Sequence, residues 1–128
     1  MKPEHHRARA ERIERSLELL TDNDWEIRIE GAMLAGTHWA NYALHVQEVS
    51  TDTEDIVHTS MCVVNTLRKY SLVERELLQQ LDEIEELRPL HVRGDAQGSR
   101  EAAARALSLL AAIGQRARQA QGTTRLEG

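Results

Sequence analysis

The sequence predicts an all-α protein, an antiparallel up-down four-helix bundle with a long third helix. Three observations predict it. Apolar residues recur at three- and four-residue spacing in four stretches, and no stretch keeps a period of two. Glycine and proline are scarce, at seven and two, and neither Pro3 nor Pro89 interrupts a long periodic segment. There is no Phe, and Trp25, Trp39, Tyr42 and Tyr70 are the only aromatic residues. The core is therefore built mostly from Leu, Ile, Val, Ala and Met, which suits helices at close spacing.

The first helix is expected over about residues 4–20, with Ala10, Ile13, Leu17 and Leu20 on one face. Thr21 to Asp24 reads as a turn that also supplies N-cap oxygens. The second helix, about 24–49, carries two adjacent apolar rows. One is Ala35, Trp39, Tyr42, Val46 and Val49, and the other is Ile29, Met33, Ala40 and Leu44. Together they cover more than half its circumference, so it is expected to be the most buried element. Thr51 with Glu54 fits a capping box for the third helix, about 53–87. Val63, Leu67, Tyr70, Leu77, Leu81 and Ile84 keep one phase along it, with Glu74 the one polar member of the row. Ser71 and Glu74 form a second possible capping box, so a break near Tyr70 is conceivable. The unbroken phase favours one continuous helix. Residues 88–98 hold Pro89, Gly94 and Gly98 and read as a loop. Ser99 is expected to cap the fourth helix, about 99–121, and the tail 122–128 to fray.

The chain, at 128 residues, fits one domain. A third helix of about 35 residues spans roughly 50 Å. The other helices are shorter, and cover for the overhang by a second copy predicts a homo-oligomer, with a dimer favoured.

Charge narrows the partners. The formal net charge is −5, so nucleic acid is not an expected partner. Residues 74–88 carry six acids and two arginines, whereas 93–125 carry six arginines and two acids. The two helices are expected to attract each other. Arg100, Arg105, Arg116 and Arg118 are the residues a local RNA-binding face would use. No stretch approaches the roughly 20 apolar residues of a membrane span. No signal-peptide pattern opens the chain, and a cytoplasmic location is expected. Cys62 is the single cysteine, so no intramolecular disulfide forms.

No phosphate loop, nucleophile elbow, His-Glu-x-x-His, Glu-x-x-His or Cys-x-x-Cys motif is present. A non-enzymatic role is therefore favoured. Six histidines nonetheless invite a metal reading. His38 and His45 stand two turns apart on one side of the second helix. Antiparallel packing brings His45 toward His58, which is flanked by Asp55 and Cys62. Imidazole, carboxylate and thiolate are the donor set of Zn²⁺ or another transition metal. The expected ligands are His45, His58, Asp55 and Cys62. His38, Asn41 and Tyr42 would line the site or act behind the ligands. His5 and His6 are expected to be solvated, and His91 to lie in the loop after Pro89.

The small-residue second helix, GAMLAGTHWANYALH, within a small bundle resembles the HEPN group of bacterial helical bundles. The resemblance covers about residues 24–90. HEPN ribonucleases carry Arg and His separated by four to six residues, and this chain has no such element. The resemblance thus implies a non-catalytic RNA- or nucleotide-associated module. Three functional expectations follow: association with itself or a protein partner, metal or small-ligand binding through His45 and His58, and a HEPN-like module.

Overall fold

Four helices, with no strand among the described residues, make up the computed structural model, which describes residues 1–56 and 64–127. They are α1 (Pro3–Leu17), α2 (Trp25–Val46), α3 (Val64–His91) and α4 (Ser99–Glu127). Their directions alternate. α1 sets His6 beside His45 at one end of α2 and Leu17 against Gly31 toward the other. α3 sets Glu74 against Gln47 and Arg88 against Glu30. α4 sets Arg105 against Glu83 and Arg116 against Glu74 of α3. The fold is the expected four-helix bundle.

α2 packs against each of the other three helices, most extensively against α4. Small residues permit this. A Cβ on Gly31 would stand 2.5 Å from a methyl of Leu17, so glycine leaves room for the Leu17 side chain as it packs here. A Cβ on Gly114 would stand 3.2 Å from the Trp39 indole nitrogen. The Trp39 ring fills the α2–α4 seam, its N–H donating to Glu14 at 2.9 Å and the Arg118 guanidinium lying over its face. Ile29, Leu44, Leu77, Leu81, Ile84 and Ile113 are fully buried in the same core. Each such side chain contributes roughly 1.5–3 kcal/mol relative to exposure.

The element boundaries differ from expectation where the backbone had alternatives. α1 stops at Leu17, and Leu19 is 85% exposed. Asp24 precedes α2, but its carboxylate turns back to the Thr21 N–H and hydroxyl instead of capping α2. α2 ends at Val46 because Glu48 takes the left-handed conformation, with φ of 60°. Residues 51–56 are not helical, and Glu54 accepts the Thr51 N–H within a turn. α3 is broken at Glu74 (φ −130°, ψ 53°), so it is not one continuous helix. The apolar phase carries across the break because Tyr70, Leu77, Leu81 and Ile84 are all buried.

Glu74 itself is buried, gripped by Arg116 at 2.9 Å and by the Gln47 amide at 2.8 Å. Pro89 falls inside α3, which runs on to His91. A proline this near the end forfeits one helical hydrogen bond, and the chain closes with the Val92 and Arg93 N–H groups on the Arg88 carbonyl. Ser99 joins its hydroxyl to the Ala96 carbonyl and to His91, tying the end of α3 to the start of α4. α4 continues to Glu127 because no left-handed residue stops it at Gly122. With 29 residues, α4 is about as long as the 28 described for α3 and runs beside it.

Candidate metal centre

The site begins with one stripe of α2. His38, Asn41 and His45 stand at i, i+3 and i+7, so they share a face. Asn41 is buried and pairs with the backbone of Ile56 in both directions. Its Oδ1 accepts the Ile56 N–H at 2.7 Å, and its Nδ2 donates to the Ile56 carbonyl at 2.8 Å. That clamp fixes the neighbouring Asp55 against α2. The turn after α2 completes the placement. The Val49 N–H reaches the Leu44 carbonyl and the Glu48 N–H reaches the His45 carbonyl, a Schellman motif with Glu48 at C′. The chain thereby folds back so that Ser50 Oγ meets His45 Nδ1 at 2.7 Å.

α1 supplies the third member. His6 lies in its first turns, on the stripe of Ala10 and Leu17, and is only 2% exposed. Its Nε2 stands 2.9 Å from Asp55 Oδ1, and His45 Nε2 stands 2.7 Å from the same oxygen. The ligand atoms of His6, His45 and Asp55 all lie within 4.8 Å of one another. His38 Nδ1 approaches His6 Nδ1 at 2.9 Å. The Met1 amino group donates to Asp55 Oδ2 at 3.0 Å and to the Asp52 carbonyl.

The electrostatics keep His6 and His38 neutral and Asp55 charged. Burial lowers the His6 pKa, and the Asp55 charge offsets only part of that. Burial, then the neighbouring His6 and Arg9, push His38 down to about 4. Burial alone would raise Asp55. The hydrogen bonds from His45, His6 and the Met1 ammonium outweigh it and hold the carboxyl at about 2. The tautomers of the neutral rings follow from their partners. Both Nε2 atoms carry the hydrogens that Asp55 Oδ1 accepts. His45 Nδ1 then accepts from Ser50, and His6 Nδ1 accepts from His38 Nδ1–H.

The structure brings together His45 and Asp55 as expected from the sequence, and puts Asn41 and His38 beside them. His58 and Cys62 lie outside the described residues. One expectation is corrected. His6 is not solvated, because α1 begins at Pro3 and buries it against α2. His38 meets the site through His6. Tyr42 faces Arg7 and Trp39. His91 is at the end of α3, bonded to Ser99. His5 is exposed.

Ser50, His45 and Asp55 also form a hydroxyl–imidazole–carboxylate chain. Ser50 is buried, and the Val49 and Ser50 N–H groups are spent on the Leu44 carbonyl, leaving neither for an oxyanion.

The basic face of α4 is engaged internally. Arg100 donates to Asn23, Arg105 to Glu83 and Arg116 to Glu74, and Arg118 pairs with Glu11. No helix of the described residues is long and apolar enough to cross a membrane. Comparison with protein-family models, curated proteins and solved structures returns no match.

Proposed function

We propose that this protein binds a divalent transition-metal ion through His6 Nε2, His45 Nε2 and Asp55 Oδ1. One observation carries the reading: three donor atoms from α1, α2 and the following turn converge on one point. Donors bound at about 2.0–2.2 Å sit roughly 3 Å or slightly more apart around the ion. The 2.7 and 2.9 Å spacings need to open by only a few tenths of an ångström. Two imidazoles and one carboxylate leave coordination positions open, the arrangement used where an ion meets water or a small ligand. Asp55 is already charged and His6 already neutral, so ligation needs no change of charge at either, only a change of tautomer at His6.

The test is zinc titration by calorimetry on untagged protein, since a tag would crowd the Met1–Asp55 contact. One zinc per chain is expected. His6→Ala, His45→Ala and Asp55→Ala should each weaken binding at least about 100-fold. His5→Ala should bind as the native chain does. Absence of zinc uptake at micromolar concentration, with metal-free protein as isolated, sinks the reading.

A second reading, self-association as a dimer, draws on a different surface. Leu109, Leu110 and Ile113 of α4 are buried in the core. Ile27 and Leu34 of α2 are instead more than half exposed. They line a groove of about 480 Å³ between α1 and α2, away from the histidines. An exposed apolar groove favours a partner. Sedimentation equilibrium of the native chain and of Leu34→Glu distinguishes the outcomes, and a native monomer at micromolar concentration rules it out.

A further inference from the structure

The His6–His38 contact assigns a role to a residue that cannot reach the ion. We propose that His38 is the positioning residue of the metal centre, switching tautomer to accept the N–H that His6 must carry once its Nε2 binds a cation. The inference rests on the metal reading above and deepens it.

The argument is one of proton places. In the metal-free network His6 holds its proton on Nε2, facing Asp55 Oδ1 at 2.9 Å. Its Nδ1 lone pair faces His38 Nδ1 at 2.9 Å, so His38 carries its proton on Nδ1. A cation on His6 Nε2 takes the lone pair at that nitrogen, and the neutral ring then has its proton on Nδ1. Two N–H groups cannot face each other across 2.9 Å. His38 must therefore release its Nδ1 proton and carry one on Nε2 instead. His45 undergoes the same reversal, its proton moving from Nε2, opposite Asp55, to Nδ1. There its partner is the Ser50 hydroxyl, which turns from donor to acceptor by rotating. Each of the three rings keeps one proton throughout, so the switch needs no co-reactant and leaves the net charge of the rings unchanged.

The two flanks thus differ. Ser50 adapts by a rotation, whereas His38 adapts only by tautomer exchange. An acceptor behind a ligating imidazole fixes the ring's orientation and raises its basicity. His38 holds this position for His6, with ring centroids 5.2 Å apart and planes tilted by 45°. The 2.9 Å between the two Nδ1 atoms is the span of an N–H···N bond.

Long-range ¹H–¹⁵N spectra of ¹⁵N-histidine protein, with and without one equivalent of zinc, read each ring directly. The expected result is Nδ1–H on His38 without zinc and Nε2–H with it, alongside metal-shifted Nε2 signals of His6 and His45. Metal-shifted Nε2 signals with His38 still protonated on Nδ1 overturn this proposal and leave the metal reading standing. No shift at His6 or His45 removes the metal reading and this proposal with it. Two variants separate the hydrogen bond from mere volume. His38→Leu is expected to weaken zinc binding about 10–100-fold, and His38→Asn, whose carbonyl accepts near the Nδ1 position, to recover most of that loss. Equal zinc affinity for His38→Leu and the native chain also overturns it.

Discussion

At the scale of single residues Asn41 anchors the turn that carries Asp55. Its side chain meets both polar groups of Ile56, a buried residue. Asn41→Ala strips a buried N–H and a buried carbonyl of their partners, at roughly 1–3 kcal/mol for a group left unsatisfied. We expect a loss of about 2 kcal/mol or more in urea unfolding. Zinc affinity should fall as well, because Asp55 is no longer fixed. A change within about 0.5 kcal/mol would show that the 51–56 turn is held by something else.

This is also the scale at which the sequence was half legible. The stripe of His38, Asn41 and His45 follows from helical spacing, and Asp55 from its closeness in the chain. His6 was missed because it sits in a charged stretch. Its signal was there: His6, Ala10, Ile13 and Leu17 keep the 4-3-4 spacing that marks the buried side of α1. Ser50 carried no signal, because its place depends on one left-handed residue two positions earlier.

That residue belongs to the scale of elements, where helix ends decide what the helices present. The apolar pattern of α2 runs on through Val46 and Val49, and the periodicity alone extends the helix to residue 49. The backbone stops three residues sooner because Glu48 adopts a conformation that L-residues other than Asn, Asp and His enter at roughly 1–2 kcal/mol. The Schellman hydrogen bonds hold it there. Glu48→Gly removes the Cβ penalty without disturbing those bonds. It should stabilise the protein by about 0.5–1 kcal/mol in urea unfolding and leave zinc affinity unchanged. A loss of stability would mean that the Glu48 side chain makes a contact worth more than its strain.

The break in α3 was hidden for a related reason. Hydrophobic phase reports which side chains face inward, and that phase passes through Glu74 intact. What marks the break is a buried carboxylate that finds Arg116 and Gln47. Those partners come from other helices, and local spacing does not show them.

At the scale of the whole molecule the histidine cluster ties three parts of the chain together: the start of α1, the end of α2 and the turn after it. The core elsewhere holds these parts by apolar packing, which does not titrate. The cluster therefore gives folding a specific acid dependence. His6 and His38 have lowered pKa values in the fold, so they are neutral there while the unfolded chain takes up protons below about 6.5. Their contribution is complete above pH 6.5 and is lost as pH falls toward about 4, where His38 protonates in the fold as well. Asp55 adds a second loss, which starts near 3.8 and ends near 2. Urea unfolding between pH 8 and pH 4 should show stability flat above about 7 and falling below 6.5, with protons taken up on unfolding near pH 5. In His6→Gln/His38→Gln protein the slope between 6.5 and 4 should shrink, while any loss below 4 from Asp55 persists. An unchanged slope in that variant would place the acid-sensitive groups elsewhere. Zinc should act against the same protons, since it binds the neutral His6 and His45 rings. Its stabilisation, largest above pH 7, should decline across the window in which the metal-free fold weakens.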